Sequence, residues 1–183
     1  VRPLFFEFVT DVNTLTIDAQ FMWGDAILVS PVVTQGATTV DAYFPADVFW
    51  YTISEIDYAK KVGSGHQTLQ APQDKLIPVH VRGGRIVPRQ ASGQTTTDAR
   101  KNPMEVLVAV DQTGSATGFL YWDDGISYDG AGGVSSHYMK SEFSYQMGST
   151  SASLAIRFSY EQGPPAMNTL DIIEIMGYPY TPD

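Results

Sequence analysis

Cysteine is absent from the chain, which removes disulfide frameworks, thiolate zinc sites and thiol nucleophiles together and leaves the redox compartment undecided. Basic residues are scarce: 11 Lys and Arg stand against 20 Asp and Glu, for a formal net charge of −9. No cluster of Lys or Arg forms a stripe that could track a phosphate backbone, so no nucleic acid partner is expected. Long apolar runs are missing too. The longest, "AILVSPVV" at residues 26–33, falls far short of the ~20 residues a membrane-spanning helix needs, and no transmembrane segment is expected in this chain. The start, "VRPLFFEF", has no initiator Met, basic n-region or small-residue cleavage site. No signal peptide is visible in it, and the start reads as the middle of something longer. No N-x-S/T sequon occurs, so glycosylation signals give secretion no support.

What is present suffices for a core: 43% of the 183 residues are hydrophobic, enough for one domain or two small ones. Residues 1–8 are β-rich and almost continuously apolar, as in a strand buried on both faces. In "TIDAQFMWGD", Asp18 could cap a helical turn carrying Phe21 and Met22, stopped by Gly24. From Ala26 onward, short runs of β-branched and aromatic residues alternate with turn chemistry: "TTVDAYFP", "LIPVHVRGG", "EVLVAVD", "TGFLYWDDG", "SASLAIRFSY", "DIIEIMGY". That spacing predicts antiparallel β-sandwiches. The polar stretch "RQASGQTTTDARKNP", residues 89–103, reads as a connection, with a boundary near Asn102.

Candidate chemistry centres on "FLYWDDGISYD", residues 119–129. Adjacent strand residues point to opposite faces, so Asp123 and Asp124 cannot converge on one glycosidic bond while the strand stays extended. A retaining glycosidase needs carboxyls about 5 Å apart. Asp124-Gly125 is the signature of a type I′ hairpin turn, with sugar or calcium binding as the alternative. Asp123, Asp124 and Asp129 lie close in sequence, yet they lack EF-hand spacing. His66, His80 and His137 are scattered and make no H-E-x-x-H, so no metal site is proposed. Ser64 and Ser127 lack the nucleophile elbow, and "GAGGVSS" lacks dinucleotide-binding spacing, so no cofactor is expected. In "VHVRGGRIVP", residues 79–88, the glycine pair suggests a bulge or a close backbone approach. Arg82 or Arg85 could anchor a carboxylate across a domain boundary. Trp50, Trp122 and Tyr128 could stack on sugar faces, although sandwich cores use aromatics as often.

Five ordered blocks, "VRPLFFEF", "DAQFMWGDAILVSPVV", "GATTVDAYFP", "LQAPQDKLIPVHVRGGRIVP" and "GFLYWDDGISYD", resemble the C-terminal region of glycoside hydrolase family 31 α-glucosidases. Within that family the likeness is to the animal maltase-glucoamylase, sucrase-isomaltase and lysosomal acid α-glucosidase group. The resemblance implies a mainly all-β chain: the last strand and short helix of a catalytic (β/α)8 barrel within residues 1–25, then two antiparallel β-sandwich domains. The proximal C-terminal sandwich would span residues 26–102. The distal one would span 103–183, ending short of the family's usual last strands. Thr52 after Trp50-Tyr51, and Arg85 and Arg89, depart from the family's pattern.

The resemblance also implies retaining hydrolysis of terminal α-linked glucose from oligosaccharides. One Asp acts as nucleophile and another as acid/base, both in upstream motifs this chain does not contain. No catalytic, cofactor-binding or metal residue is therefore assigned here, and no ligand-binding residue is known. The implied partners are the catalytic barrel of the same enzyme, braced through Phe5, Phe6, Phe21 and Trp23, and through the parent enzyme an oligosaccharide. The implied location is secreted, lumenal or lysosomal. Two other readings stand beside it: a stand-alone carbohydrate-binding β-sandwich without hydrolytic activity, and a non-catalytic homologue acting as a chaperone-like or receptor subunit.

Overall fold

A computed structural model describes residues 1–125, 138–161 and 168–178. The described residues are mainly strand, with no long helix. They comprise 3-10 helices at Leu4–Phe6 and Val12–Thr16, then β1 (Phe21–Trp23), β2 (Ile27–Val29), β3 (Thr39–Phe44), β4 (Trp50–Thr52), β5 (Lys61–Val62) and β6 (Gly65–Gln70). There follow β7 (Val79–Arg82), β8 (Arg85–Gln90), a single helical turn α1 (Thr96–Ala99), β9 (Met104–Ala109), β10 (Ser115–Asp123), β11 (Tyr138–Met147), β12 (Ala152–Glu161) and β13 (Leu170–Met176). Three sheets result, ordered β1-β2-β7-β4-β5, β12-β11-β10-β8-β9-β13 and β3-β6.

The chain divides into two compact units. The first holds Val1–Arg85, Ala109–Thr113 and the chain's end from Met176; the second holds Ile86–Val108 and Gly114–Ile175. Asn102 lies within the second unit, and the first crossing falls between Arg85 and Ile86, because β8 pairs into the six-stranded sheet. The polar stretch after β8 is a connection inside that unit. Its helical turn is capped by Thr95, whose Oγ1 accepts from the Asp98 amide at 3.1 Å.

In the first unit, Leu4, Phe8, Met22, Leu28, Ala42, Phe44 and Trp50 form one buried cluster. It joins the N-terminal segment, the five-stranded sheet and β3. Trp50 meets Phe44 at 6.1 Å and Phe8 at 6.0 Å between ring centroids. In the second unit the long strands follow the period-2 rule. Met139, Ser141, Phe143 and Tyr145 of β11 are buried, whereas Glu142 and Ser144 between them are exposed. β9, internal to its sheet, is nearly continuously buried, as its run of apolar residues requires.

The structure differs from expectation in the first 24 residues. Residues 1–8 are not a strand. Arg2 makes one isolated bridge to Met22, and Leu4–Phe6 coil into a 3-10 turn that buries Leu4 and leaves Phe6 exposed. Pro3 supplies the entry: its φ of −66° suits the turn, and it has no N–H to add to a ladder. The helical turn expected after Asp18 is instead β1, antiparallel to β2 with Met22 opposite Leu28. The capping falls earlier, on Asp11, whose side chain accepts from the Asn13 amide at 3.1 Å.

The Gly83-Gly84 pair makes the turn between β7 and β8, and both amides leave the strand. Gly83 donates to the Phe49 carbonyl at 2.7 Å and Gly84 to the Ala109 carbonyl at 2.8 Å. A Cβ on Gly83 would lie 2.9 Å from both Phe49 Cβ and the Val110 oxygen. The close-approach reading of these glycines therefore holds. Beside them the buried Tyr51 hydroxyl donates to the Val110 carbonyl at 2.8 Å, and burial pushes its pKa up to about 12. Gly83→Ala is expected to lower the urea-unfolding free energy by about 1–3 kcal/mol through forced backbone displacement. Tyr51→Phe, which orphans one buried acceptor, should cost about 1–2 kcal/mol. A variant of either kind with an unchanged urea midpoint would contradict this packing.

Candidate functional site

The motif "WDDG" is held from one side by Arg100. Its guanidinium lies 4.0 Å from the Trp122 ring centroid and donates to the Asp123 carbonyl. The backbone that carries Arg100 is tied down in turn, because Asn168 Nδ2 donates to the Arg100 carbonyl at 2.5 Å and to the Asn102 carbonyl at 2.6 Å. The Asp123 carboxylate accepts from the Gly125 amide at 2.9 Å, a local Asx turn, and Gly125 takes a φ of +72°. Asp124 points outward. The turn reading is half right: β10 and β11 do pair antiparallel, but their register sets Asp123 opposite Tyr138. A two-residue turn at Asp124-Gly125 therefore does not join this pair. Ser127, Tyr128, Asp129, "GAGGVSS" and His137 lie outside the described residues.

Trp50 is fully buried and Trp122 nearly so; both are core, and neither offers a face to a sugar. The exposed aromatics are others. Phe119 and Tyr121 alternate outward along β10, and Tyr121 stacks on Tyr138 at 5.1 Å. The period-2 pattern "GFLYWD" carries that signal, since residues on one side of buried Trp122 and Ala116 must emerge on the other.

Arg82 and Arg85 do anchor carboxylates, within the first unit. Arg82 Nη1 lies 3.3 Å from Glu7 Oε2, which Arg2 also contacts through the other oxygen, and Arg85 Nη2 lies 3.1 Å from Asp25 Oδ2. Arg82 also sits 4.8 Å over the Phe8 ring. Burial, ahead of repulsion from Arg85, pulls the Arg82 pKa down, and Glu7 and Asp25 oppose it. These pairs bind the first 25 residues to β7 and the start of β8.

Two further polar anchors escaped sequence reasoning. Gln20 is buried; its Oε1 accepts from the Tyr43 amide at 2.7 Å and its Nε2 donates to Ser30 Oγ at 2.9 Å. Tyr43 in turn donates to Asp11 Oδ2 at 2.7 Å, which holds the Asp11 carboxyl below its ordinary value, while desolvation raises the Tyr43 pKa. A Gln or Tyr in this role has no local spacing signal, because its partners are 10 to 32 residues away.

Around these anchors the surface is apolar. Phe6, Val9, Val12, Leu15 and Trp23 are exposed, and Phe6 and Trp23 are 63% and 66% accessible. Next to them Val1, Phe5, Leu15, Ile17 and Phe21 line a cavity of about 420 Å³. Of the four residues expected to brace a barrel, Phe6 and Trp23 stand in solvent and Phe5 and Phe21 are partly covered. The segment is moored from beneath by Leu4, Phe8 and Met22 and presents a greasy outer side.

Among the described residues no group of three or more His, Asp or Glu could hold a metal ion, and no helix is long and apolar enough to cross a membrane. His80 is buried against Phe44, ring centroids 4.8 Å apart, and desolvation lowers its pKa to about 4. His66 packs on Tyr43 at 5.0 Å.

Anchors turned inward and large apolar residues turned outward mark a β-rich region with an apolar outer side. Residues 1–87 match the glycosyl hydrolase family 31 C-terminal domain. The chain belongs to glycoside hydrolase family 31, within its C-terminal region. It is 38% identical over 182 residues to the "Probable alpha/beta-glucosidase" of Arthroderma benhamiae, covering 97% of this chain and 19% of that protein. To the "Lysosomal alpha-glucosidase" of Rattus norvegicus it is 41% identical over 143 residues, covering 69% of this chain and 15% of the relative. The Flavobacterium johnsoniae GH31 dextranase FjDex31A, solved with glucose, superposes with a TM-score of 0.76 at 25% identity, covering 90% of this chain and 20% of that one. The chain thus spans about a fifth or less of these relatives.

The buried imidazole gives the site a pH signature. An unfolded His80 takes up a proton below its ordinary value of 6.5, whereas the folded one stays neutral down to about 4. Folding stability therefore falls as pH drops through that window and is complete above it, a contribution of about 3 kcal/mol. His80→Leu should flatten the pH dependence of unfolding free energy between those limits by that amount; equal slopes in the two proteins would refute it.

Proposed function

We propose that this chain is the non-catalytic C-terminal portion of a retaining α-glucosidase that hydrolyses terminal α-linked glucose from oligosaccharides. The observation that carries this is the apolar outer side of the N-terminal segment, Phe6, Val9, Leu15 and Trp23, on a chain whose relatives are several times longer. Exposed large apolar side chains on an anchored segment call for a covering surface. The catalytic barrel of the same polypeptide is the partner that the family relationship supplies. In this reading residues 1–25 close the end of the (β/α)8 barrel, and the proximal and distal β-sandwiches follow, with the chain first crossing from one to the other between Arg85 and Ile86. Two upstream carboxylates do the chemistry: one attacks the anomeric carbon, and the other protonates the leaving oxygen and then activates water. The oligosaccharide meets the barrel, and this chain braces it. The compartment proposed is secreted, lumenal or lysosomal, on the strength of relatives such as the lysosomal rat enzyme.

The stand-alone sugar-binding reading loses support with Trp50 and Trp122 buried. The test is hydrolysis of maltose by the full-length enzyme and by this chain alone. The full-length enzyme should release glucose first as the α-anomer, and the chain alone none. A Phe6→Ser, Trp23→Ser double variant of the full-length enzyme should lose thermal stability by roughly 2–4 kcal/mol if those rings are covered. Release of glucose by the chain alone would sink the proposal, as would an unchanged melting temperature for the double variant.

A further inference from the structure

The first unit contains a second cavity, of about 250 Å³, that the proposed function leaves unused. Its walls come from β4, β5 and β7 on one sheet and from β6 on the other. His80 of β7 lines it. The register sets His80 directly opposite Thr52 of β4, so the two side chains project from the same face of the sheet. His80 is 1% exposed, and its Nδ1 has no hydrogen-bond partner. A buried polar nitrogen without a partner is uncommon in folded proteins and points to a group that completes it.

The remaining lining specifies what that group is. Thr52, Ser54 and Gln67 bring hydroxyls and an amide, and Val62 and Leu69 bring an apolar wall. The charges nearby compensate one another or turn away. Lys60 pairs with Asp57 at 3.5 Å, and the Lys61 ammonium sits 3.0 Å over the Phe49 ring. A site for an ion would leave net charge pointing inward; this one offers short-range hydrogen bonds and a patch for C–H groups. At roughly 30 Å³ per liquid water it has room for a single small ring and falls below the range of larger ligand pockets.

We propose that this cavity binds a neutral polyhydroxy molecule of monosaccharide size, with one hydroxyl on the His80 imidazole and its C–H face on Val62 and Leu69. The ligand bridges the two sheets of the first unit, so its binding is linked to the unit's stability. The burial that keeps the imidazole neutral keeps it available as a hydrogen-bond partner from mildly acidic pH upward.

The experiment is a crystal structure of the full-length enzyme soaked with saturating D-glucose, with the catalytic site filled by a tight inhibitor. Calorimetric titration with D-glucose on the same blocked enzyme accompanies it. A sugar ring in this cavity within hydrogen-bond distance of His80 is expected. Affinity should fall at least tenfold in Thr52→Val and in His80→Phe. Thr52→Val, close in shape, serves where His80→Phe fails to fold. Ordered water alone in the cavity at saturating glucose would overturn the proposal, as would glucose affinity unchanged in both variants. Neither result bears on whether the full-length enzyme cleaves α-glucosides, which the maltose assay decides separately.

Discussion

Burial of the Trp50 indole ties the first unit together, because four otherwise separate pieces of chain meet on it or on its immediate neighbours. Phe8 arrives from the N-terminal segment, Phe44 from the two-stranded sheet, and Met22 and Leu28 from the first two strands of the five-stranded one. The indole N–H reaches the Pro45 carbonyl at 3.3 Å, so its polar atom is not orphaned in the core. None of these strands exceeds six residues, and several have three. Such short strands make few ladder bonds, so side-chain packing between sheets must supply most of the stability.

How much of this could be read from sequence depended on whether the signal was local. The long strands of the second unit were legible because "TGFLYWD" and "YMKSEFSYQM" alternate with the sheet's own period, and the buried and exposed residues fall where alternation puts them. The glycine pair at 83–84 was legible because few other reasons exist for two glycines between apolar strands. The N-terminal segment was misread, since a short apolar run looks the same in a buried strand and in a turn whose side chains point to different neighbours. Leu4 and Phe8 face inward and Phe6 outward, a pattern decided by the Trp50 cluster and the Glu7 ion pairs, not by the segment itself. The junction expected near Asn102 rested on polarity alone. Pairing of β8 into the six-stranded sheet moved the crossing back to Arg85–Ile86.

Of the candidate site, sequence gave the right residues for the wrong work. Trp122 and Asp123 matter because Arg100 stacks on one and holds the backbone of the other, so the motif is a structural clasp. The same conversion holds for four other carboxylates. Glu7 receives Arg2 and Arg82, Asp25 receives Arg85, and Glu105 and Glu174 share Arg89 at 2.8 and 2.6 Å.

That use of acid residues bears on the division of labour in the longer protein. A retaining glycosidase needs one carboxylate free to attack and one able to hold and release a proton, about 5 Å apart around open space. A carboxylate clamped by an arginine is poorly placed for either task, because its oxygens are already occupied. Glu7, Asp25, Glu105 and Glu174 are all in that state, and Asp123 spends an oxygen on its own turn. The surplus of acidic residues is, in these positions, the means by which short strands and an apolar N-terminal segment are pinned in place. A segment so pinned from within presents Phe6 and Trp23 outward at a defined position.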